Sequence, residues 1–362
     1  MKLQMIGFIS VMLSMILVII FYMTHKLDRI LRCYGIIIKK LYLYIITGIV
    51  GLIIVIIRSA FAAMVLYMFM MFLIVDILRI ILIKADKKRI LLTPLVKIYC
   101  HGMLIVGIGL LITLYSAYNA KNPHVTEYQV TIDKHMENDI NIVLLSDIHA
   151  GTAVREYQFD KMLEKVNELN ADIICLAGDI FDESSDKQII RYACDTFSKM
   201  HSVYGVYYIT GNHDKRIMKD FEELLFSAGV KIIDDSAVFI DNRFYLVGRT
   251  DLGMEGETER TSVEQLLEQV DTSYPVILLD HRPTALEEAG GTGVDLQLSG
   301  HTHAGQIFPG NIIVDIFNDV GYGFKNYHGL NVIVSSGYGT WGFPIRVGSH
   351  SEIVNVILQG KK

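Results

Sequence analysis

Four apolar stretches dominate the first 118 residues, at roughly 5–23, 41–57, 60–75 (extendable to 83) and 98–118. A helix needs about 20 mostly apolar residues to cross a bilayer. The second and third stretches are short if cut at Arg58, yet together residues 36–83 fit a hairpin of two helices. Residues 1–120 therefore read as an all-α transmembrane region of about four helices, with the lipid bilayer as its partner. The alternative for the first stretch is a cleaved signal peptide. Against it, Lys2 is the stretch's only N-terminal charge, an Ala-x-Ala site is missing, and three more apolar segments follow.

Charge divides the chain at the same place. Residues 1–118 hold 13 Lys and Arg against 3 acidic residues (Asp28, Asp76 and Asp86), whereas the remainder holds 20 basic against 36 acidic residues. Lys26, Arg29, Arg32, Lys39 and Lys40 separate the first two stretches. Lys84, Lys87, Lys88, Arg89 and Lys97 separate the last two, and only Arg58 lies between the second and third. Basic loops stay cytoplasmic, which predicts a multi-pass protein of the cell membrane with its acidic C-terminal part on the extracytoplasmic side. Cys33 and Cys100 belong to the apolar half, Cys175 lies in an apolar run and Cys194 on an expected helix, so no disulfide framework is indicated.

Residues 121–139 read as a polar linker with one strand candidate at 128–132. From residue 140 to 362, apolar runs alternate with amphipathic segments. Strands are expected at 140–145, 172–177, 204–209, 231–233, 237–240, 244–247, 276–279, 296–298, 331–335 and 353–358. Helices are expected at 156–169, 185–200, 220–228 and 262–269. This alternation predicts an α/β fold with helices covering strands. With no basic patch, no nucleic acid is expected as a partner; no protein partner is indicated either.

Polar residues suited to metals recur just past these apolar runs. They are Asp147-Ile-His149, Gly178-Asp179-Ile-Phe-Asp182, Gly211-Asn212-His213-Asp214, Asp280-His281 and Gly300-His301-Thr302-His303. Ligands bind at the C-terminal strand ends of open α/β sheets, and five of the twelve histidines fall in these blocks. Residues i and i+2 share one face of an extended segment, so Asp147/His149 and His301/His303 are expected to point the same way. Carboxylate, imidazole and amide groups are what hard or borderline divalent ions take. A carboxylate after the second strand could bridge two ions. Two metals about 3.5–4 Å apart acidify a bridging water and clamp a phosphate on its attacking and leaving sides. One histidine remains to protonate the leaving oxygen.

As a set, in this order, the five blocks resemble the calcineurin-like metallophosphoesterases. The ending 336–342 with Pro344-Ile345-Arg346 is similar to the bacterial branch that often carries membrane anchors. The resemblance implies a metallophosphoesterase-type β-sandwich flanked by helices and two divalent ions (manganese, iron or zinc). It places Asp147, His149 and His303 on one ion, Asn212, His281 and His301 on the other, and Asp179 between them. It makes His213 the general acid, oriented by Asp182. Asp182 has a plainer reading as a helix N-cap, Asp214 reads as structural, and Asp280 as a partner of His281. Trp341 either lines a substrate pocket or packs.

The phosphoprotein-phosphatase branch has Arg-Gly after its second Asp and Glu after its Asn-His. Here Glu183-Ser184 and Asp214 stand there instead, which argues against phosphoprotein substrates and leaves Arg282 or Arg249 as candidate phosphate clamps. The expected function is a membrane-anchored hydrolase of a phosphodiester, phosphomonoester or pyrophosphate, such as a lipid or envelope precursor. The alternative is a catalytically silent scaffold or sensor on the same fold.

Overall fold

A computed structural model describes residues 2–57, 59–85, 102–151, 153–252 and 260–361. Arg58, Asp86, Lys87, Lys88, Arg89, Lys97, Cys100 and the start of the fourth apolar stretch lie outside the described residues. The chain divides into two units, Met1–Ala117 and Tyr118–Lys362.

In the first unit the apolar stretches form α1 (Lys2–Cys33), α2 (Lys40–Ile56), α3 (Phe61–Ala85) and α4 (Met103–Asn119), whose last two residues belong to the second unit. Among the described residues one helical segment, Phe61–Ile81, is long and apolar enough to cross a membrane; Lys40–Ile56 and Leu104–Asn119 are shorter apolar helices. Seventeen residues at ~1.5 Å each reach roughly 26 Å, a little under a bilayer's ~30 Å core. Phe72 and Ile105 are buried, with Tyr22, Met23 and Met68 packed around them. Lys26 pairs with Asp76, which also accepts the Tyr22 hydroxyl at 2.7 Å. Closing the two charges against each other balances them within this apolar unit.

The second unit is two stacked six-stranded sheets. The first runs β1 (His124–His135), β12 (Glu352–Lys361), β2 (Ile140–Leu145), β3 (Ile173–Ala177), β4 (Val206–Ile209), β5 (Val230–Ile232). The second runs β10 (Gly323–Tyr327), β11 (Leu330–Val334), β9 (Leu296–Ser299), β8 (Val276–Asp280), β7 (Phe244–Arg249), β6 (Ser236–Ile240). Strand side chains alternate between faces. Ile142, Leu144, Ile173, Cys175 and Ala177 point inward to meet Leu246, Ile277, Leu279 and Leu298 of the other sheet. Val143, Leu145, Ile174 and Leu176 point outward under α5 (Glu156–Glu168) and α6 (Lys187–Ser198). Leu278, Val332 and Val334 are covered by α8 (Val263–Leu266) and α9 (Leu286–Ala289). Helices thus cap both faces of a sandwich. Among the described residues the remaining α-helices of this unit are α7 (Glu222–Ser227) and α10 (Gly310–Phe317).

Two expectations need correction. Residues 121–139 are not a plain linker, because twelve of them form β1, paired in parallel with β12. Val130 and Ile132 are its buried anchors, and backbone hydrogen bonds carry the strand past them into polar sequence. The helix expected over 262–269 closes after Leu266, started by a Ser262–Gln265 capping box. Helix α10 and strand β10 were not foreseen.

Candidate metal centre

The polar blocks sit on loops leaving β2, β3, β4, β8 and β9, and these loops are laced together through their backbones. Asp147 N–H donates to Gly178 O (3.0 Å), His149 N–H to Asp179 O (3.1 Å) and Gly300 N–H to His281 O (2.9 Å). The His301 N–H donates to the Asp147 carboxylate (2.9 Å), and the His213 N–H to Asp179 Oδ1 (2.8 Å). Ligand side chains are thereby held by main chain rather than by rotamer preference alone.

The pairs separated by one residue do not sit on an extended segment as expected. Asp147 (φ 51°), His149 (48°), Asp179 (52°), His301 (71°) and His303 (51°) are all left-handed. This conformation costs about 1–2 kcal/mol at each non-glycine residue, and such strain clusters where side-chain placement matters for function. The chain turns sharply at each position immediately beyond its strand. Two glycines then allow the loops to touch. A Cβ on Gly211 would strike the Asp179 backbone nitrogen and carboxylate, and one on Gly300 would strike the Asp147 carboxylate and Ser146.

The result is two adjacent clusters of potential ligand atoms: Asp147, His149 and His303, and Asp179, His281 and His301, with the atoms of each cluster within 4.8 Å of one another. Asn212 is buried beside Asp179, its Oδ1 lacking a hydrogen-bond partner. His149 Nε2 and His281 Nε2 are buried and also lack hydrogen bonds. His281 Nε2 lies 3.1 Å from Asp179 Oδ2 without hydrogen-bond geometry. Its Nδ1 faces the Ala177 carbonyl at 2.8 Å, which makes Nδ1–H the donor and leaves the Nε2 lone pair for another partner. Buried polar atoms are rarely left unpaired in folded proteins. Two clusters of buried carboxylates and imidazoles, with His149 Nε2 and Asn212 Oδ1 left unpaired, fit divalent cations.

The electrostatics agree. Burial raises the Asp147 pKa from its ordinary value. Burial also opposes ionisation of Asp179, but His281, His149 and His213 together hold its pKa far below the carboxylate range. His281 is penalised by burial and is nevertheless pushed up to about 10 by Asp179, Asp147 and Asp251. The carboxylate pair thus demands positive charge beside it, which a divalent ion would supply while leaving His281 neutral with its Nε2 lone pair. His301 is lowered to about 3 by burial and by the nearby His281 and Arg282, so it stays a neutral donor.

Asp182 does not meet His213. Its Oδ2 faces His149 Nδ1 at 3.2 Å, and its Oδ1 accepts the Ser184 N–H at 2.7 Å. Burial opposes its charge, but these bonds lower its pKa to about 2. Asp182 is also not a helix N-cap: Asp186 caps α6 through the Gln188 and Ile189 N–H groups. The reason is reach, since the tight turn at Ser184 folds the carboxylate back onto the β2 loop. His213 Nδ1 has the Glu183 carboxylate 3.5 Å away. The His213 ring stands 5.2 Å from the His149 ring and 6.4 Å from Trp341, which is mostly exposed rather than packed.

Asp214 is structural, taking N–H groups from Phe181 (2.8 Å) and Gly211 (3.0 Å). Asp280 pairs with Arg260 and Arg249 instead of His281. Arg249 is buried and committed to Asp280, Glu288 and the Thr261 carbonyl, which removes it as a phosphate clamp. Arg282 is half-exposed, with one face on Asp251.

Sequence reasoning missed the role of Arg346. Fully buried, it donates to the carbonyls of Ser336 (2.6 Å), Gly337 (3.0 Å), Gly339 (2.6 Å) and His303 (3.3 Å). It ties the closing loop to the His303 loop. The signal available was a lone arginine in the apolar Pro344-Ile345-Arg346-Val347 run.

A family model described as calcineurin-like phosphoesterase matches residues 140–305. The chain is 33% identical over 274 residues to a transmembrane protein with metallophosphoesterase domain of Danio rerio, covering 71% of this chain and 62% of that protein. It is 32% identical over 288 residues to a metallophosphoesterase of Campylobacter jejuni, covering 77% of this chain and 74% of that one. It is 30% identical over 260 residues to a metallophosphoesterase of Aquifex aeolicus, covering 70% of this chain and 98% of that one. The chain spans about three fifths of the length of the Danio rerio and Bos taurus relatives (62% and 58%).

Proposed function

We propose, for a chain that belongs to the calcineurin-like phosphoesterase family, that it is a membrane-anchored, metal-dependent phosphoester hydrolase. The observation that carries this reading is the pair of buried clusters, Asp147–His149–His303 and Asp179–His281–His301, each with its potential ligand atoms within 4.8 Å of one another, together with the buried, unpaired His149 Nε2 and Asn212 Oδ1. In this reading Asp147, His149 and His303 would hold one divalent ion and Asn212, His281 and His301 a second, with Asp179 available to both. Two such ions, manganese, iron or zinc, would supply Lewis acidity toward phosphoryl oxygens and water.

The chain's own residues do the rest. The N–H groups of His301 and His213 fix the two carboxylates. Asp182 orients the His149 ring. His213, at the rim, gives a proton to the departing alcohol oxygen. Trp341 borders the same opening, and Arg282, whose charge is felt at His301, can meet phosphate oxygens.

The membrane reading extends to residues 1–120 as about four helices, with a hydrolase domain at 140–362 whose sheet borrows β1 from the segment before it. The basic loops support an extracytoplasmic domain, and anchoring favours a lipid or envelope phosphoester. A reporter fused after Lys362 should behave as exported; cytoplasmic behaviour reverses the orientation. Purified full chain with manganese should cleave bis-p-nitrophenyl phosphate, and His213→Asn should slow it without loss of metal. Absence of cleavage with manganese, iron and zinc alike would turn the account to a silent scaffold.

A further inference from the structure

Helix α10 has the sequence GNIIVDIF and none of its residues is buried. Ile312 is 47%, Ile313 54%, Ile316 70% and Phe317 80% exposed. At ~100° per residue these four side chains fall within about 140° of arc, with Asn311 and Asp315 on the other side. An apolar stripe of this kind on a folded domain marks a binding surface.

Its position identifies the occupant. The helix starts seven residues after His303, and the Gly305 and Gly310 backbones touch. Gln306, between them, exchanges hydrogen bonds with Trp341 through both main-chain groups (2.8 and 3.0 Å). Phe308 N–H donates to Val347 O (2.7 Å), and Val347 N–H to Gln306 O (3.0 Å). On the other side of this segment, the Asn119 amide donates to Arg346 O (3.2 Å) and Ser349 O (2.7 Å), and Ser351 Oγ donates to Ala120 O (2.9 Å). Asn119 is the last residue of the apolar helix α4. The point where the chain leaves its apolar helices, the exposed face of α10 and the rim residue Trp341 are therefore joined through one short hydrogen-bonded segment, 346–351.

We infer that the Ile312–Ile313–Ile316–Phe317 face of α10 lies in the interfacial layer of the bilayer that anchors the chain, and that it sets the site's opening at the level of lipid headgroup phosphates. A short amphipathic helix with large apolar residues on one face is suited to that layer. Anchoring by the apolar helices keeps α10 at the surface at high effective concentration, so the helix needs little affinity of its own. The substrate half of this inference, a phosphoester in a lipid headgroup, rests on the hydrolase reading; the membrane contact of α10 does not.

The test uses the full chain in nanodiscs of phosphatidylcholine and phosphatidylglycerol. The chain has one tryptophan, so Phe317→Trp in a Trp341→Phe background puts the sole indole on α10. Its fluorescence should be quenched by phosphatidylcholine brominated on the acyl chains and shielded from acrylamide. Quenching by acrylamide but not by brominated lipid would overturn the inference. So would shielding from both together with chemical cross-linking of two copies through α10, which would make the face a self-association surface.

A second variant, Ile313→Ser/Ile316→Ser/Phe317→Ser, tests the substrate half. Each large apolar side chain removed from the bilayer weakens binding by about tenfold. Cleavage of a diacyl p-nitrophenyl phosphodiester in nanodiscs should thus fall at least about tenfold, while cleavage of bis-p-nitrophenyl phosphate stays unchanged. Equal loss on both esters, or on neither, refutes it. Absence of all cleavage by the unaltered chain would count against the hydrolase reading, with the quenching result still deciding the place of α10.

Discussion

Replacing Arg346 with methionine should destabilise the C-terminal unit by an amount that the hydrogen bonds of the closing loop set. Four carbonyls accept from the guanidinium. Two of them keep another donor after the change: Gly337 O also takes the Glu352 N–H, and His303 O the Gln306 N–H. Ser336 O and Gly339 O lose their donor. A buried acceptor left unpaired costs about 1–3 kcal/mol, so the pair costs about 4 kcal/mol. Methionine recovers some packing along the stem but no hydrogen bond. Burial has already lowered the Arg346 pKa to about 10 against the pull of Asp147 and Glu352, so the fold holds this cation at a cost that its bonds must exceed. For a unit of this size, each kcal/mol moves the melting temperature by roughly 2–4 °C, and the expected drop is about 10 °C. Thermal unfolding of the full chain in detergent, followed by Trp341 emission, measures it. Arg346→Lys, which keeps the charge and fewer donors, should fall between. A methionine variant that melts within about 2 °C of the unaltered chain would show that Arg346 does not hold the loop.

Three further outcomes follow from the same geometry. Asp182→Ala removes the partner of His149 Nδ1 and should weaken metal affinity about 10–100-fold, read by competition with a fluorescent chelator; an unchanged affinity would free Asp182 from that role. Cys175 and Cys194 are buried, and burial raises both thiols, Cys194 to about 12. Neither should be alkylated by iodoacetamide in the native chain, and both should react after denaturation, as peptide mass spectrometry would show. Gly300→Ala forces a methyl group against the Asp147 carboxylate and should cost metal binding at that cluster; full retention of metal would contradict the close approach.

Much of this molecule was legible in its sequence, and the failures have physical causes. The sandwich strands announced themselves because their apolar runs are buried on both faces, as Ile142 and Val143 show in neighbouring cores. The site residues were legible because few other reasons place Asp-x-His, Asn-His-Asp and His-x-His just past apolar runs. Their backbone was not. Left-handed turns at Asp147, His149, Asp179, His301 and His303 depend on neighbouring loops that hydrogen-bond to them. Asp182 was assigned to His213 from the family resemblance, whereas the Ser184 turn aims it at His149. Arg346 went unread because all its carbonyl partners are main chain, which no side-chain pattern reports. Strand β1 was under-read because its ends are polar and held by β12. Helix α10 went unread because an amphipathic octet of this length, with no buried residue, leaves little for a burial pattern to report.

The direct measurement is metal content and ester hydrolysis on the same purified samples. Full-length chain loaded with manganese and then dialysed should retain two ions per chain, the number a shared carboxylate between two ligand clusters implies, and should cleave bis-p-nitrophenyl phosphate. Asp179→Ala should retain less metal and show no cleavage. Full metal content and undiminished cleavage in Asp179→Ala, or no divalent ion in the unaltered chain, would contradict the account.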